Sequence, residues 1–174
     1  MKAGSVQKED YQYKRNGTCS ILSAIEPLAG RRLVQVRKQR KKQDYAEFMK
    51  LLAHKYSKAK KIILVQDNLN THNPGSFYEA FSAPDAFRLT ERFEMVYTPK
   101  KASWLNMAEI EFSALSKQCL DRRIGCVKEL AKQVLIWSKD RAQKKIKIDW
   151  QFTKEKARVK LKRHYQQLGN TTKY

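Results

Sequence analysis

Two acidic residues of this chain stand where carboxylates could carry chemistry. Asp67 comes just after an aliphatic run at residues 62–65, and Glu109 lies near the start of a predicted helix. In an open α/β sheet, chemistry gathers beyond the carboxyl ends of the strands, where loops and helix N-termini converge. Because carboxylate oxygens are the ligands that hard divalent cations prefer, we interpret Asp67 and Glu109 as candidate catalytic residues and metal ligands.

Asp67 and the nearby His72 each have a simpler interpretation. Asp67 could do no more than cap the turn at residues 67–70. His72 could assist proton transfer or contact a phosphate, but a loop histidine is more often simply exposed. The residues themselves leave these alternatives open.

Glu109 has an alternative of its own. If Asn106 is an N-cap, Glu109 occupies the third helical position and could close a capping box in a solvent-facing first turn. Leu105 and Phe112, four residues before and three residues after, predict instead that Glu109 borders the buried face of the helix. Glu111 points elsewhere and is the weaker candidate, so we expect Glu111→Gln to have little effect on activity.

The elements that must position these residues follow from hydrophobic periodicity and turn signals. Residues 20–25 and 33–37 read as a hairpin around a Pro- and Gly-containing spacer. Asp44 is the expected N-cap of a helix with one apolar face, and residues 62–65 are typical of a strand buried on both faces. Further predicted elements are a helix after Asn73-Pro74, a helix at 85–92, a strand at 93–97, a helix at 105–121, a core helix around 127–135 and a basic helix around 157–165. This order predicts an α/β fold with a mixed sheet flanked by helices.

Charge and composition limit the partners. The chain has 174 residues, 37 of them Lys or Arg and 17 Asp or Glu, for a formal net charge of +20. Seven basic residues and no acid fall within residues 31–42, eleven basic residues within 139–163, whereas residues 67–111 carry a local net charge of −3. Basic flanks around an acidic middle favour a nuclease-type site, because phosphates are drawn to the periphery and carboxylates hold a metal ion at the centre.

Other classes of protein are not indicated. The three cysteines form no C-x-x-C pair and have no histidines at zinc spacing, so neither a disulfide framework nor a structural zinc site is expected. The longest aliphatic run, at residues 62–65, is far shorter than the roughly 20 residues that cross a bilayer, and the start shows no signal-peptide pattern. We therefore expect a cytoplasmic protein without a membrane partner.

Several segments together resemble a known family. They are Leu64-Val65-Gln66-Asp67-Asn68-Leu69-Asn70-Thr71-His72, Tyr97-Thr98-Pro99 and Ser103-Trp104-Leu105-Asn106-Met107-Ala108-Glu109, with further likeness at residues 11–18, 26–30 and 118–124. In them the chain resembles the mariner-type DDE transposases of bacterial insertion sequences, and the likeness covers nearly the whole chain.

The resemblance implies DNA cleavage and strand transfer on a ribonuclease-H-like sheet. Asp67 matches the family's second catalytic Asp, and Glu109 matches the acid that follows Leu-Asn and two further residues. Such sites hold two Mg²⁺ or Mn²⁺ ions. The implied partners are DNA, both transposon ends and target, and further copies of the same chain when the protein is complete, at the bacterial nucleoid.

The chain departs from this family at its start. In the family, a first strand carrying the first catalytic Asp and a helix-turn-helix region precede the segment that matches residues 11–18. Glu9 and Asp10 precede that match, but no apolar strand delivers them. The 41 residues between Asp67 and Glu109 also exceed the compact mariner spacing, and the predicted helix at 85–92 could absorb the difference.

We therefore expect a truncated catalytic core that lacks its first strand and is inactive alone, with the N-terminal half of the transposase as a partner. The expected division is an incomplete lead-in at 1–17, the core at 18–124 and a helical basic extension at 125–174. The alternative is a non-catalytic DNA-binding regulator derived from a transposase. The residues expected to contact DNA are Arg31, Arg32, Arg37, Lys38, Arg40, Lys41, Lys42, Lys100, Lys101, Arg158, Lys160, Lys162 and Arg163.

Overall fold

The structure, a computed structural model, describes residues 17–99, 105–160 and 162 of the chain. Its elements follow in the order β1 Ser20–Glu26, β2 Arg31–Arg37, α1 Lys42–Lys55, β3 Ile62–Gln66, α2 Gly75–Ala80, α3 Ala83–Arg92, β4 Phe93–Tyr97, α4 Ala108–Leu115, a π-helical turn Ser116–Leu120, α5 Val127–Gln143 and α6 Lys154–Lys160. The predicted α/β class is therefore confirmed. None of the described helices combines the length and the apolar character that a membrane crossing requires.

The described strands form two separate ribbons. β1 pairs with β2 as an antiparallel hairpin, and β3 pairs with β4 in parallel, with Ile62 opposite Phe93 and Gln66 opposite Tyr97. Gly30 closes the hairpin at a φ of 69°, and a Cβ there would stand 2.8 Å from the carbonyl oxygen of Ile146. The turn thus requires glycine both for its left-handed backbone and for the close approach of a second chain segment.

One hydrophobic core joins both ribbons to α1. The buried face of α1 contributes Tyr45, Ala46, Phe48, Met49 and Leu52, at the spacing of an amphipathic helix. Phe77 of α2, Leu89 of α3 and Phe93 of β4 complete this core, and partly buried side chains from both ribbons pack against it. The loop after β3 is therefore anchored to the same core as the hairpin.

A second core lies on the other face of the hairpin. Leu115, Cys119, Val134 and Trp137 from the segment α4 to α5 pack there with partly buried Ile21, Val34 and Val36 of the hairpin. Alternate hairpin residues thus face different cores, as the two-residue period of a strand requires. The hairpin is the layer between α1 on one side and α4 and α5 on the other.

Several local predictions were wrong. Helix α1 begins at Lys42, so Asp44 is not its N-cap; its carboxylate instead accepts the Lys41 backbone N–H at 2.9 Å. The strand at 62–65 is not buried on both faces, because Ile63 is 67% and Val65 51% exposed. One face of the β3–β4 ribbon packs on the first core, and the other presents apolar side chains to solvent.

Candidate active site

Asp67 lies at the carboxyl edge of the β3–β4 ribbon. Strand β3 ends at Gln66, and the Gln66 carbonyl accepts the Thr98 backbone N–H at 2.9 Å, so the parallel pairing continues to the residue before Asp67. The Asp67 side chain is 44% exposed. The strand therefore delivers this carboxylate to the surface at the edge where α/β sheets place their chemistry.

His72 fixes one oxygen of Asp67. The Nδ1 of His72 lies 2.6 Å from Oδ1 of Asp67, within hydrogen-bond distance, and Nδ1 is the donor when the carboxylate is ionised. The loop folds back through a 2.8 Å hydrogen bond from the His72 backbone N–H to the Leu69 carbonyl. The His72 ring stacks on Tyr45 with centroids 4.8 Å apart, so it is not the freely exposed loop histidine that was the alternative.

A buried polar pair beneath the loop holds His72 in turn. The Tyr45 hydroxyl donates to Oε1 of Gln66 at 2.8 Å, and Nε2 of Gln66 donates to the His72 carbonyl at 3.0 Å. Burial raises the pKa of Tyr45 well above its ordinary value, so the hydroxyl remains a donor. Sequence reasoning missed Gln66 as a site residue, although a lone amide at the end of an aliphatic strand was the available signal.

Glu109 lies on the exposed side of the first turn of α4. Met107 precedes the helix, which makes Glu109 its second residue rather than its third, and the Asn106 side chain accepts the Ala108 N–H at 3.0 Å. The capping-box alternative is therefore wrong, and so is the expectation that Glu109 borders the buried face. Within the described residues its carboxylate has no hydrogen-bond partner, which leaves both oxygens available as ligands.

Glu111, the weaker candidate, is the buried acid of this helix. It is 2% exposed and lies between two arginines that come from distant parts of the chain. Nε of Arg32 lies 2.5 Å and Nε of Arg141 3.2 Å from Oε1 of Glu111, and Nη2 of Arg141 lies 3.1 Å from its Oε2. Burial by itself would raise the pKa of Glu111, but the hydrogen bonds from Arg32 and Arg141 outweigh it and hold the pKa below its usual range.

This buried triad joins the hairpin, α4 and α5. Arg32 also donates to the carbonyls of Gly30 and Ile146, at 2.6 Å each, so the chain after α5 is tied to the hairpin turn. Removing one member of a buried ion pair leaves an uncompensated charge inside the protein. Glu111 therefore has a structural role and points inward, away from the exposed side that Glu109 occupies; the expectation that Glu111→Gln has little effect on activity stays a prediction.

The structure thus brings Asp67 and His72 into direct contact and leaves Glu109 as a separate exposed carboxylate. Within residues 17–99, 105–160 and 162, no group of three or more His, Cys, Asp and Glu side chains could hold a metal ion. Asp67 and Glu109 stay the predicted metal ligands, and both side chains are accessible to solvent.

A family model for DDE superfamily endonucleases matches residues 1–131, three quarters of the chain. The chain belongs to this family. No curated protein and no solved structure gives a match. The matched region contains β1 to α4 and the first turn of α5, and therefore both Asp67 and Glu109.

Endonucleases of the DDE superfamily generally use divalent metal ions and act on DNA. The donor set of this DDE endonuclease fits such an ion in kind, because both carboxylates offer hard oxygen ligands. Asp67 keeps one oxygen, Oδ2, without a hydrogen bond to any described residue, while His72 holds the other. The described residues therefore offer ligands of the right chemistry for a divalent metal ion, but too few of them to complete a site.

The basic residues predicted to contact DNA differ in availability. Arg31, Lys38, Arg40, Lys41, Arg158 and Lys162 are exposed. Arg37 and Lys42 are half-buried and pair with Glu47 and Glu79 respectively. Lys100, Lys101 and Arg163 lie outside the described residues, as does the side chain of Lys160.

Arg32 was wrongly included in that set. Its side chain is 0% exposed, and its guanidinium is already bound to Glu111 and to two backbone carbonyls. The periodicity of a basic run cannot show which of its members turn inward, and β2 turns this one toward the second core.

Proposed function

We propose that this DDE endonuclease is the catalytic part of a mariner-type transposase of a bacterial insertion sequence, acting at the nucleoid in DNA transposition. The single observation that carries the proposal is Asp67, held by His72 at the carboxyl edge of a parallel strand pair inside the family match. Exposed Glu109 near the start of α4 supplies the second carboxylate. The fold we propose for the complete core is ribonuclease-H-like.

Asp67, His72 and Glu109 contribute to the proposed reaction by placing carboxylate oxygens where they could bind a metal ion. The hydrogen bond from His72 to Oδ1 restricts rotation of the Asp67 carboxylate and leaves Oδ2 pointing away from His72. Glu109 presents two oxygens that no described residue occupies. Mg²⁺ or Mn²⁺ ions, two in the complete enzyme, would activate water or a 3′-hydroxyl and stabilise the leaving oxygen. Exposed basic residues such as Lys38 and Arg40 would hold the DNA by its phosphates.

Two metal ions need a third carboxylate besides Asp67 and Glu109. We propose that a strand N-terminal to β1 carries it. The two ribbons support this: β1 and β3 each pair along one side only among the described strands, while both pack on the core of α1. A strand placed between them would join the ribbons into one mixed sheet and bring its own carboxyl group beside Asp67. We retain the division 1–17, 18–124 and 125–174 as part of this proposal, with α5 packed on the core.

A plasmid-nicking assay tests the proposal. We expect the protein extended by its upstream coding sequence to nick supercoiled DNA in the presence of Mg²⁺ or Mn²⁺, and the 174-residue chain alone to bind the same DNA without nicking it. A non-catalytic regulator is the second candidate, because the exposed basic residues suffice for binding. It predicts that no extension of the chain produces metal-dependent nicking.

A further inference from the structure

Tyr45 is a buried residue of α1 that lies between the first core and the loop carrying His72. Its ring stacks on two others, with centroids 4.8 Å from His72 and 6.1 Å from Phe77. Phe77 in turn contacts Phe93 of β4, at 6.3 Å between centroids. The imidazole of His72 is therefore the outermost of four aromatic rings, and the other three belong to the first core.

Packing alone does not account for a tyrosine at this position, because phenylalanine would fill the same space among these rings. A buried hydroxyl needs a partner, since an unpaired buried polar group is costly. The Tyr45 hydroxyl donates to Oε1 of Gln66 at 2.8 Å, and Gln66 is itself a buried amide at the end of β3. Two buried polar side chains therefore share a hydrogen bond that the packing of the core does not require.

The hydrogen bonds of Gln66 allow one orientation of its amide. Its Nε2 donates to the His72 carbonyl at 3.0 Å, and because a carbonyl only accepts, the amide nitrogen must face the loop. The amide oxygen then faces Tyr45, and without the hydroxyl it would have no partner among the described residues. Tyr45 thus acts on the His72 backbone through Gln66 and on the His72 ring by stacking.

We propose that Tyr45 is a positioning residue for Asp67, on which it acts through Gln66 and His72. The hydroxyl of Tyr45 fixes the amide of Gln66, and this amide holds the backbone of the loop. The loop then keeps Nδ1 of His72 within 2.6 Å of Oδ1 of Asp67. Tyr45 lies on α1, outside the segments that carry the family resemblance. The positioning itself is a property of this chain, and only its consequence for metal binding rests on the proposed function.

The first measurement needs neither metal nor DNA. It follows the proton on Nδ1 of His72 by ¹H–¹⁵N NMR in the extended protein. We expect a resolved signal, because a proton that is hydrogen-bonded to Asp67 on a stacked ring exchanges slowly with water. Tyr45→Phe keeps the ring and removes only the hydroxyl, so this signal should be lost to exchange while the amide signals of the first core persist.

The matched control is Tyr56→Phe, which removes a second tyrosine hydroxyl, just after the end of α1. That hydroxyl donates to Oε2 of Glu26 at 3.2 Å, and its removal should leave the Nδ1 signal unchanged. An unmodified protein without the signal, or a signal that Tyr45→Phe leaves in place, would overturn the proposal. Loss of the core amide signals in Tyr45→Phe would also overturn it, because the hydroxyl would then support the whole fold.

Plasmid nicking by the extended protein tests the consequence for the metal. Tyr45→Phe should raise the Mg²⁺ concentration at half-maximal nicking several-fold and leave the rate at saturating Mg²⁺ nearly unchanged, because the carboxylate is misoriented but still present. In a His72→Phe background the same substitution should have no further effect, since the contact through which Tyr45 acts is already gone.

A merely structural role of Tyr45 would raise the Mg²⁺ requirement equally in both backgrounds, and this result would overturn the proposal. If the unmodified extended protein does not nick DNA at all, the proposed function fails. The NMR measurement still decides in that case whether Tyr45 positions Asp67.

Discussion

At the scale of single residues, the proposed site depends on how Asp67 is held. Its position at the end of a strand could be predicted from the aliphatic run before it, since that run and its polar terminator are local features. The contact with His72 could not, because it needs the loop to fold back over Tyr45 and Gln66. The local sequence pattern therefore predicted the position of Asp67. The orientation of its carboxylate depends on His72, Tyr45 and Gln66, whose contacts are known only from the fold.

We predict that His72→Phe lowers cleavage by the extended protein. Phenylalanine keeps a ring to stack on Tyr45 but cannot donate to Asp67, so the carboxylate loses its orientation. Loss of a partner that orients a metal ligand typically costs about 10–100-fold in metal affinity or activity. The measurement is the Mg²⁺ concentration at half-maximal plasmid nicking, which should rise.

The control for this variant is His54→Phe. His54 is exposed on α1, outside the network around Asp67, and its substitution should leave the Mg²⁺ dependence unchanged. An unaltered Mg²⁺ dependence in His72→Phe itself would show that Asp67 does not need His72.

At the scale of elements, α4 carries two acids with opposite surroundings. Periodicity predicted a helix over 105–121 and placed the wrong acid at its buried face. The structure starts the α-helix at Ala108 and turns Glu111 inward. The partners of Glu111 lie 79 and 30 residues away in sequence. No local pattern reveals a buried acid whose countercharges come from β2 and α5. The sequence analysis therefore took the buried face from the apolar residues of the helix alone and placed Glu109 beside it.

We predict that Glu111→Gln destabilises the fold by about 3 to 5 kcal/mol, because two buried guanidinium groups lose their countercharge. The matched control is Glu109→Gln, two residues away and exposed, which should change the free energy of unfolding by no more than about 0.5 kcal/mol. Urea unfolding of the extended protein, followed by tryptophan fluorescence, measures both. Equal effects of the two substitutions would contradict the assigned positions of these acids.

We also predict that the triad contributes to acid unfolding. The pKa of Glu111 is lowered in the folded state, so the unfolded chain takes up this proton first as the pH falls. The stabilisation is present above the ordinary Glu pKa of about 4.3 and is lost as the pH falls through the lowered folded value. In Glu111→Gln the remaining stability should depend less on pH across this range, as unfolding at several acidic pH values would show. An unchanged pH dependence would mean that other carboxyl groups dominate.

At the scale of the whole molecule, the described strands form two ribbons joined by one core rather than a single sheet. The α/β class and the order of elements could be predicted, because each element has its own periodicity and its own turn signals. The predicted single mixed sheet is not seen among the described strands, which form two separate ribbons. Strand pairing is not a local property, so the periodicity of each strand could not reveal this separation. One face of β3, which carries Ile63 and Val65, is exposed in the described structure.

We predict a marginally stable fold for the 174-residue chain. Two-stranded ribbons are weak in isolation and their unpaired edges favour association. Calorimetry should show a broad transition with aggregation on heating. A sharp, reversible transition of the monomeric chain would contradict the expectation that the sheet lacks a strand.

The most direct test of the central claim compares Asp67→Asn and Glu109→Gln in the extended protein, with nicking and duplex binding measured on the same preparations. Each substitution keeps the side-chain volume and removes a charge that binds metal. We predict that Mg²⁺-dependent nicking falls by orders of magnitude in both variants while the affinity for DNA stays nearly unchanged, because exposed basic residues carry the binding. Full nicking by either variant would show that the carboxylate in question is not part of the catalytic centre.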